Sequence, residues 1–137
     1  MYGPSKLWDT HAEEVLQPDP KRHYAKPVVV LINAQAQSQP EFVAIWLRNS
    51  GRFTFVGSHT TGATGTSSFI YLPGGARLGF TSVRVRYADG SRFQNIGITP
   101  DVAVEPTIEG IRQGRDEVLE KGIDVLRKLV AGQPRQP

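Results

Sequence analysis

Apolar positions along this chain arrive in short runs with different periods. Val28 to Ile32 is continuous, rich in β-branched residues and entered through Pro27. It is too short for a helix and lacks polar alternation, which predicts a strand covered on both faces. A polar stretch without glycine follows. Ser38-x-x-Glu41 then opens a segment where Phe42, Ile45, Trp46 and Asn49 recur at helical spacing, and Gly51 stands where a C-terminal cap belongs. From Arg52 to Gly57 the period is two, with Phe53 and Phe55 on one face and Thr54 and Val56 on the other. Ser68 to Leu72, Pro73-Gly-Gly75 and Arg77 to Tyr87 read as a hairpin, with a parity shift near Thr81-Ser82 that predicts a bulge or bend. Asp89-Gly90 is a turn signal leading back through Arg92 and Phe93. A short alternating piece, Val102 to Val104, precedes a last helix from Arg115 onward. Its stripe is Val118, Leu119, Gly122, Ile123, Leu126, Leu129 and Val130.

The order of strands and helices predicts one α/β domain over residues 26–131, with a peripheral segment 1–25 and a disordered tail 132–137. In the peripheral segment Thr10-x-x-Glu13 predicts a short helix through Leu16, stopped by Pro18 and Pro20. His11 and His23 lie there without a partner at ligand spacing. At 137 residues the chain is large enough for a core. No stretch approaches the roughly 18 apolar residues of a membrane span, and the first residues lack a signal-peptide pattern. With no cysteine, disulfides, thiolate metal sites and a cysteine nucleophile are excluded. No metal or cofactor is expected. The net charge of +3 is unevenly spread: residues 42–88 contain no acid but hold Arg48, Arg52, Arg77, Arg84 and Arg86. A carboxylate or phosphate would meet a positive potential there, although Arg84 and Arg86 also fit the wet face of a strand. Nucleic-acid binding is not supported, since no basic cluster is interleaved with aromatics.

The candidate chemistry centres on Ser38. A serine between a buried strand and a helix is where an α/β enzyme places a nucleophile, because first-turn N–H groups and the helix dipole favour an oxyanion. The same Ser-x-x-Glu spacing is also a capping box, and Pro40 is tolerated in a first turn. A capping hydroxyl points at its own helix, and a nucleophile points at substrate. The loop Gly57 to Thr66, with three glycines and five hydroxyl residues, allows close backbone approach to a ligand. It has no P-loop lysine, which excludes nucleotide binding by that device. His59 is its one histidine.

Four pieces in this order resemble the tail-specific, or C-terminal processing, serine peptidases, related to the tricorn protease core. They are Lys26-Pro-Val-Val-Val-Leu-Ile, Ser38-x-x-Glu41-Phe, Gly51-Arg52 running into Val56-Gly57-x-x-Thr60-x-Gly62, and Asp89-Gly90 followed by Gly97-Ile98-x-Pro100-Asp101. The resemblance implies a crotonase- or Clp-protease-like α/β core of strands and crossing helices, of which this chain would be the carboxyl-terminal half. It implies peptide-bond hydrolysis through an acyl-enzyme on Ser38, with the Gln39 N–H as an oxyanion donor and a peptide or protein as substrate. An extracytoplasmic location, periplasmic or secreted, is suggested by the same resemblance.

The general base is where the chain departs from the pattern. The Ser-Lys branch has a lysine directly after Gly-x-x-Thr-x-Gly, and here that residue is Ala63. The tricorn-like branch uses a histidine from an earlier segment and a glutamate before Asn-x-Gly, and here Gln94 takes the glutamate's place. Gln94 can orient a site by hydrogen bonding but carries no charge. The base and a second oxyanion donor are therefore expected from the amino-terminal half of a parent protein, with His59 the sole local candidate. The competing expectations are a non-catalytic peptide- or ligand-binding module in which Ser38 only caps its helix, and a lipid- or retinoid-binding relative with an apolar cavity.

Overall fold

A computed structural model describes residues 24–132 together with Gln17, Asp19 and Lys21. The expected helix at Thr10–Leu16, His11, His23 and most of the predicted tail lie outside the described residues. The element order is β1 (Val28–Ile32), α1 (Gln39–Asn49), β2 (Phe53–Gly57), β3 (Ser67–Tyr71), β4 (Arg77–Thr81), β5 (Val102–Ala103), α2 (Ile108–Arg112) and α3 (Glu117–Ala131). This is a mixed α/β fold. β1, β2 and β5 form a parallel sheet in the order β1-β2-β5, with Val30 opposite Phe55 and Gly57 opposite Ala103. Parallel neighbours need a crossover, and α1 supplies it between β1 and β2.

The period-two logic of β1 and β2 is realised on two faces. Val30 and Ile32 of β1 and Phe53 and Phe55 of β2 join Ala44, Ile45 and Leu47 of α1, with Phe93 and Ile98, in the core. Val29 and Leu31 face the other way, toward α3, where a Cβ on Gly122 would come 2.6 Å from Leu31 Cδ2. Gly122 thus lets the helix backbone approach the strand closely. Because it contributes no side chain, Leu31 remains 41% exposed. α3 starts with Asp116 capping Leu119 N–H at 2.9 Å. Of its predicted stripe, Gly122 is buried and Val118 and Leu126 are half-buried, joined by Val125, while Leu119, Ile123, Leu129 and Val130 stay exposed.

The helical face of α1 is rotated from the predicted one. Its buried residues are Glu41, Ala44 and Ile45, with Phe42 and Trp46 half-buried and Asn49 exposed. Glu41 and Arg48 lie at i and i+7 on the inward face, where hydropathy alone does not place charges. Each is held by specific partners. Arg48 Nη1 donates to Asp101 Oδ1 at 2.6 Å, its other nitrogen donates to the Thr99 carbonyl, and its guanidinium lies 4.3 Å from the Phe55 ring centroid. Asp101 stands just before β5. Its Oδ2 accepts from Phe55 N–H at 2.7 Å and its own N–H donates to the Phe55 carbonyl at 2.8 Å, so the carboxylate extends the β2 ladder where β5 has not begun.

The predicted hairpin forms as β3 and β4 with Phe69 opposite Gly79, and β4 ends at Thr81, at the expected bend. It does not continue to Tyr87 as a strand. Beyond Ser82 the chain is irregular, with Val85 and Tyr87 packed on the core and one isolated antiparallel bridge, Arg86 to Arg92, across the Asp89-Gly90 turn. Every residue of β4 is exposed, Leu78 and Phe80 included.

Asp101 gives a test that separates its two roles. Asp101→Asn keeps an acceptor for Phe55 N–H but turns an NH2 group toward the partly exposed Arg48 guanidinium, which solvent can relieve, so it should cost about 1 kcal/mol. Asp101→Ala leaves the strand N–H without its partner and should cost about 1–3 kcal/mol. Urea unfolding of both variants checks the ranking.

Candidate active site

The carboxyl ends of parallel strands are where α/β proteins gather ligand-binding loops. The loops leaving β1 and β2 run side by side there. Ser58 N–H donates to the Ile32 carbonyl at 3.1 Å, and Thr61 donates through its hydroxyl to the Ala34 carbonyl at 2.8 Å and through its N–H to the Ala36 carbonyl at 3.1 Å. The first loop delivers Ser38 to the entrance of α1.

Beneath that entrance lies Glu41, fully buried. Its Oε1 accepts from Thr60 Oγ1 and Gly62 N–H, both at 2.6 Å, and its Oε2 accepts from Ala63 N–H at 3.0 Å and Ser38 N–H at 3.3 Å. Four donors converge on one carboxylate, which is how a buried charge is made tolerable. Thr60 Oγ1 relays onward by accepting from Ile98 N–H at 2.8 Å. Gly62, at φ 71°, lies so near the 95–97 backbone that a Cβ would come 2.7 Å from Gly97 N, and Asn95 N–H donates to the Gly62 carbonyl at 2.8 Å. The Gly-x-x-Thr-x-Gly loop and the Gly97-Ile98 segment thus meet backbone to backbone, held on one carboxylate of α1.

Ser38 sits above this network with φ 63° and ψ −117°, a conformation that L-residues rarely adopt. Both halves of a capping box are in place, the Ser38 side chain toward the Glu41 N–H and the Glu41 carboxylate on the Ser38 N–H, yet the Glu41 N–H is taken by the Ser38 carbonyl and the hydroxyl makes no cap hydrogen bond. Glu41 and Phe42 N–H donate instead to the Ser38 carbonyl, at 2.9 and 3.2 Å, and Thr64 Oγ1 donates to the same oxygen at 2.9 Å. Ser38 is exposed, and its Oγ has no hydrogen-bond partner among the described residues. Since Pro40 has no N–H, Gln39 carries the one first-turn N–H of residues 39–42 left without an intramolecular acceptor. A free hydroxyl and a free N–H donor therefore stand side by side in sequence at the start of an 11-residue helix.

Gln94 is drawn toward this site. Its Nε2 donates to the carbonyls of Thr64 and Val83, each at 3.3 Å, while its Oε1 is buried without a partner. The amide is used as a donor, which a carboxylate could not match. His59 is not brought to Ser38. It is exposed, bonded to no described residue, and lines a cavity of about 350 Å³ with Gly57, Ser58, Thr99, Pro100, Ala103, Val104 and Glu105. Tyr87, whose hydroxyl donates to the Gly97 carbonyl at 2.9 Å, has its pKa raised chiefly by burial, so it remains a neutral donor bracing that segment. Among the described residues, no group of three or more His, Asp or Glu side chains is placed to hold a metal ion. No helix among them is long and apolar enough to cross a membrane. The spacing had shown Glu41 only as half of a capping box. Its link to residues 60–63 follows from pairing of two loops, for which a local pattern gives no signal.

This arrangement can be set beside known proteins. The family model for peptidase family S41 matches residues 5–104. The chain belongs to peptidase family S41. It is 34% identical over 107 residues to a carboxy-terminal-processing protease of Bartonella bacilliformis, a match covering 78% of this chain and 24% of that protein. The structure of mature CPAF complexed with lactacystin superposes with a TM-score of 0.74 at 30% identity, covering 85% of this chain and 23% of that one. The tricorn protease, at 18% identity and a TM-score of 0.65, shares the fold over 86% of this chain and 13% of its own. This S41 chain spans about a fifth to a quarter of the length of the curated relatives it matches.

Two substitutions test the local geometry. Ser38→Gly removes the Cβ that makes a positive φ costly, whereas Ser38→Ala keeps it, so the glycine variant should be the more stable by about 1 kcal/mol in urea unfolding. Glu41→Gln turns one acceptor oxygen into an NH2 group facing N–H or O–H donors and should destabilise by about 3 kcal/mol, well beyond either Ser38 variant.

Proposed function

We propose that Ser38 is the nucleophile of an S41 serine peptidase, and that this chain supplies the nucleophile half of a site completed by another part of its parent protein. The observation carrying this reading is the state of Ser38: exposed, held at φ 63° and ψ −117°, with its hydroxyl free and the adjacent Gln39 N–H without an acceptor. Strain of this sort persists only where the surroundings over-determine it, and it clusters at active sites. A pure helix cap would hydrogen-bond its hydroxyl to the N–H of N2 or N3; the Ser38 side chain lies toward the Glu41 N–H in a capping-box arrangement but completes no such bond.

In the reaction so read, Ser38 Oγ attacks the carbonyl carbon of the scissile amide while its proton passes to a base. The oxygen that becomes negative lies at the Gln39 N–H, at the positive end of α1. The C–N bond breaks, the amine leaves with the proton, and water then hydrolyses the acyl-enzyme. No described group accepts the Ser38 proton, and the base is read as supplied by another part of the parent protein. Gln94, whose amide hydrogens hold the Thr64 and Val83 carbonyls, fits a positioning residue that braces the serine loop without charge. A role for His59 has less support, since no hydrogen bond ties it to Ser38. The crotonase-like core, residues 26–131 as its carboxyl-terminal half, a peptide substrate and an extracytoplasmic location complete the proposal, resting on family membership.

Fluorophosphonate labelling of the full-length parent tests it. The parent should be labelled and its Ser38→Ala variant should not, while this chain alone should label at least about a hundredfold more slowly, as a hydroxyl without its base reacts poorly. Labelling that survives Ser38→Ala would remove Ser38 from the mechanism.

A further inference from the structure

Of the arginines from residue 48 to residue 92, Arg48 alone has an acidic partner among the described residues, and Arg84, Arg86 and Arg92 are set apart by lying together on one exposed segment. Arg48 is held by Asp101, Arg52 donates to the Tyr24 carbonyl at 2.8 Å, and the Arg77 guanidinium lies 4.3 Å from the Phe69 ring centroid. Arg84, Arg86 and Arg92 have no acidic partner among the described residues. Between Ser82 and Phe93 the inward positions are Val85 and Tyr87, both packed on the core, so Arg84 and Arg86 alternate outward and are exposed. Arg92 faces Arg86 across the isolated antiparallel bridge, and directly opposed residues project from the same side. Like charges in that position repel.

The local hydrogen bonds hold this arrangement instead of relieving it. Arg86 Nη1 donates to the Gly90 carbonyl and Arg92 Nε to the Gln94 carbonyl, each at 2.8 Å, leaving the other guanidinium N–H groups free. Asp89, in the intervening turn, accepts from Ser91 N–H at 2.8 Å, and hydrogen bonding to the Ser91 side chain and then to its backbone lowers its pKa. One carboxylate stands against three guanidiniums. The segment is also tied to the serine loop, since Gln94 Nε2 joins the Val83 carbonyl to that of Thr64, whose hydroxyl holds the Ser38 carbonyl.

We propose that Arg84, Arg86 and Arg92 form a binding surface for an acidic peptide segment, its Asp or Glu side chains taking the free guanidinium N–H groups. Bidentate carboxylate–guanidinium pairing suits this fork geometry. Three guanidiniums exceed what a single terminal carboxylate can occupy, which favours several acidic side chains. Phosphates of a nucleic acid are disfavoured because Tyr87 and Phe93, the aromatic neighbours of Arg86 and Arg92, pack on the core and leave no exposed stacking platform.

The proposal goes beyond peptidase activity and does not require Ser38 to be a nucleophile, so it is tested by binding with the full chain carrying Ser38→Ala. Fluorescence anisotropy should show a Glu-rich peptide binding, the same peptide with Gln for Glu binding at least about fivefold more weakly, and affinity falling with salt. Arg84→Gln with Arg86→Gln should weaken the Glu-rich peptide at least about fivefold with an unchanged circular dichroism spectrum, and Lys121→Gln should not. Three results would overturn it: equal binding of the Gln peptide, a double variant that binds like its parent, or a preference governed only by a free against an amidated carboxyl terminus. Tighter capture of a single-stranded oligonucleotide at the same salt would reassign the surface to phosphate and likewise overturn it.

Discussion

The geometry around Ser38 depends on one buried carboxylate. Glu41 is the third residue of α1, yet three of its four donors, Thr60, Gly62 and Ala63, come from the loop after β2, and the fourth is Ser38 N–H. Burying a carboxylate alone would be prohibitive, so the group can stay only while all these donors stay. That converts four weak preferences into one cooperative requirement. Loop residues 60–63 cannot drift without exposing the charge, and the helix cannot fray at its start without losing the same bonds. Gly62 and Gly97 serve this requirement from the other side, because backbone approach at both points would be blocked by any Cβ.

Once the loops are locked, Ser38 has little choice. Its N–H is claimed by Glu41 and its carbonyl by Glu41 N–H, Phe42 N–H and Thr64 Oγ1. With both backbone groups fixed, the dihedrals take the disfavoured region, and the side chain is left pointing where no cap acceptor or donor meets it. A serine used only as a cap would gain by relaxing to an extended conformation and bonding a first-turn N–H. The strain is therefore a consequence of the network, and the free hydroxyl is a consequence of the strain.

Much of this fold was legible in the residues, and the misses share a cause. β1, β2 and the long helix α3 followed from period and run length, since these depend on local pattern. The hairpin turn and the break at Thr81 followed from glycines and parity. What escaped was the inward face of α1, because periodicity treats charged residues as outward while Glu41 and Arg48 are turned in by partners at sequence separations of 19 to 22 and 51 to 53. The strand expected through Tyr87 failed for a related reason: Val85 and Tyr87 do alternate inward, but onto the core rather than along a ladder. At the candidate site, the place of Ser38 between strand and helix was readable from the pattern, while Gln39 was named by the family resemblance. The donor role of Gln94 was not, because it depends on which carbonyls lie opposite the amide.

The distribution of these bonds also bears on how a site could be divided between two parts of a protein. The hydrogen bonds that fix Ser38 and its Glu41 anchor come from residues 41–64, on the first turn of α1 and the loop after β2. None is to a proton acceptor for the hydroxyl. On the proposed reading, positioning and activation are physically separable: local packing sets the strained serine and the Gln39 N–H, and a base from elsewhere in the parent protein would need only to reach hydrogen-bond distance without remodelling the serine. Gln94 stands at the meeting point, its amide hydrogens committed to this chain and its buried oxygen still without a donor. A glutamate there would face two carbonyl oxygens, so the neutral amide is the form that this packing accepts.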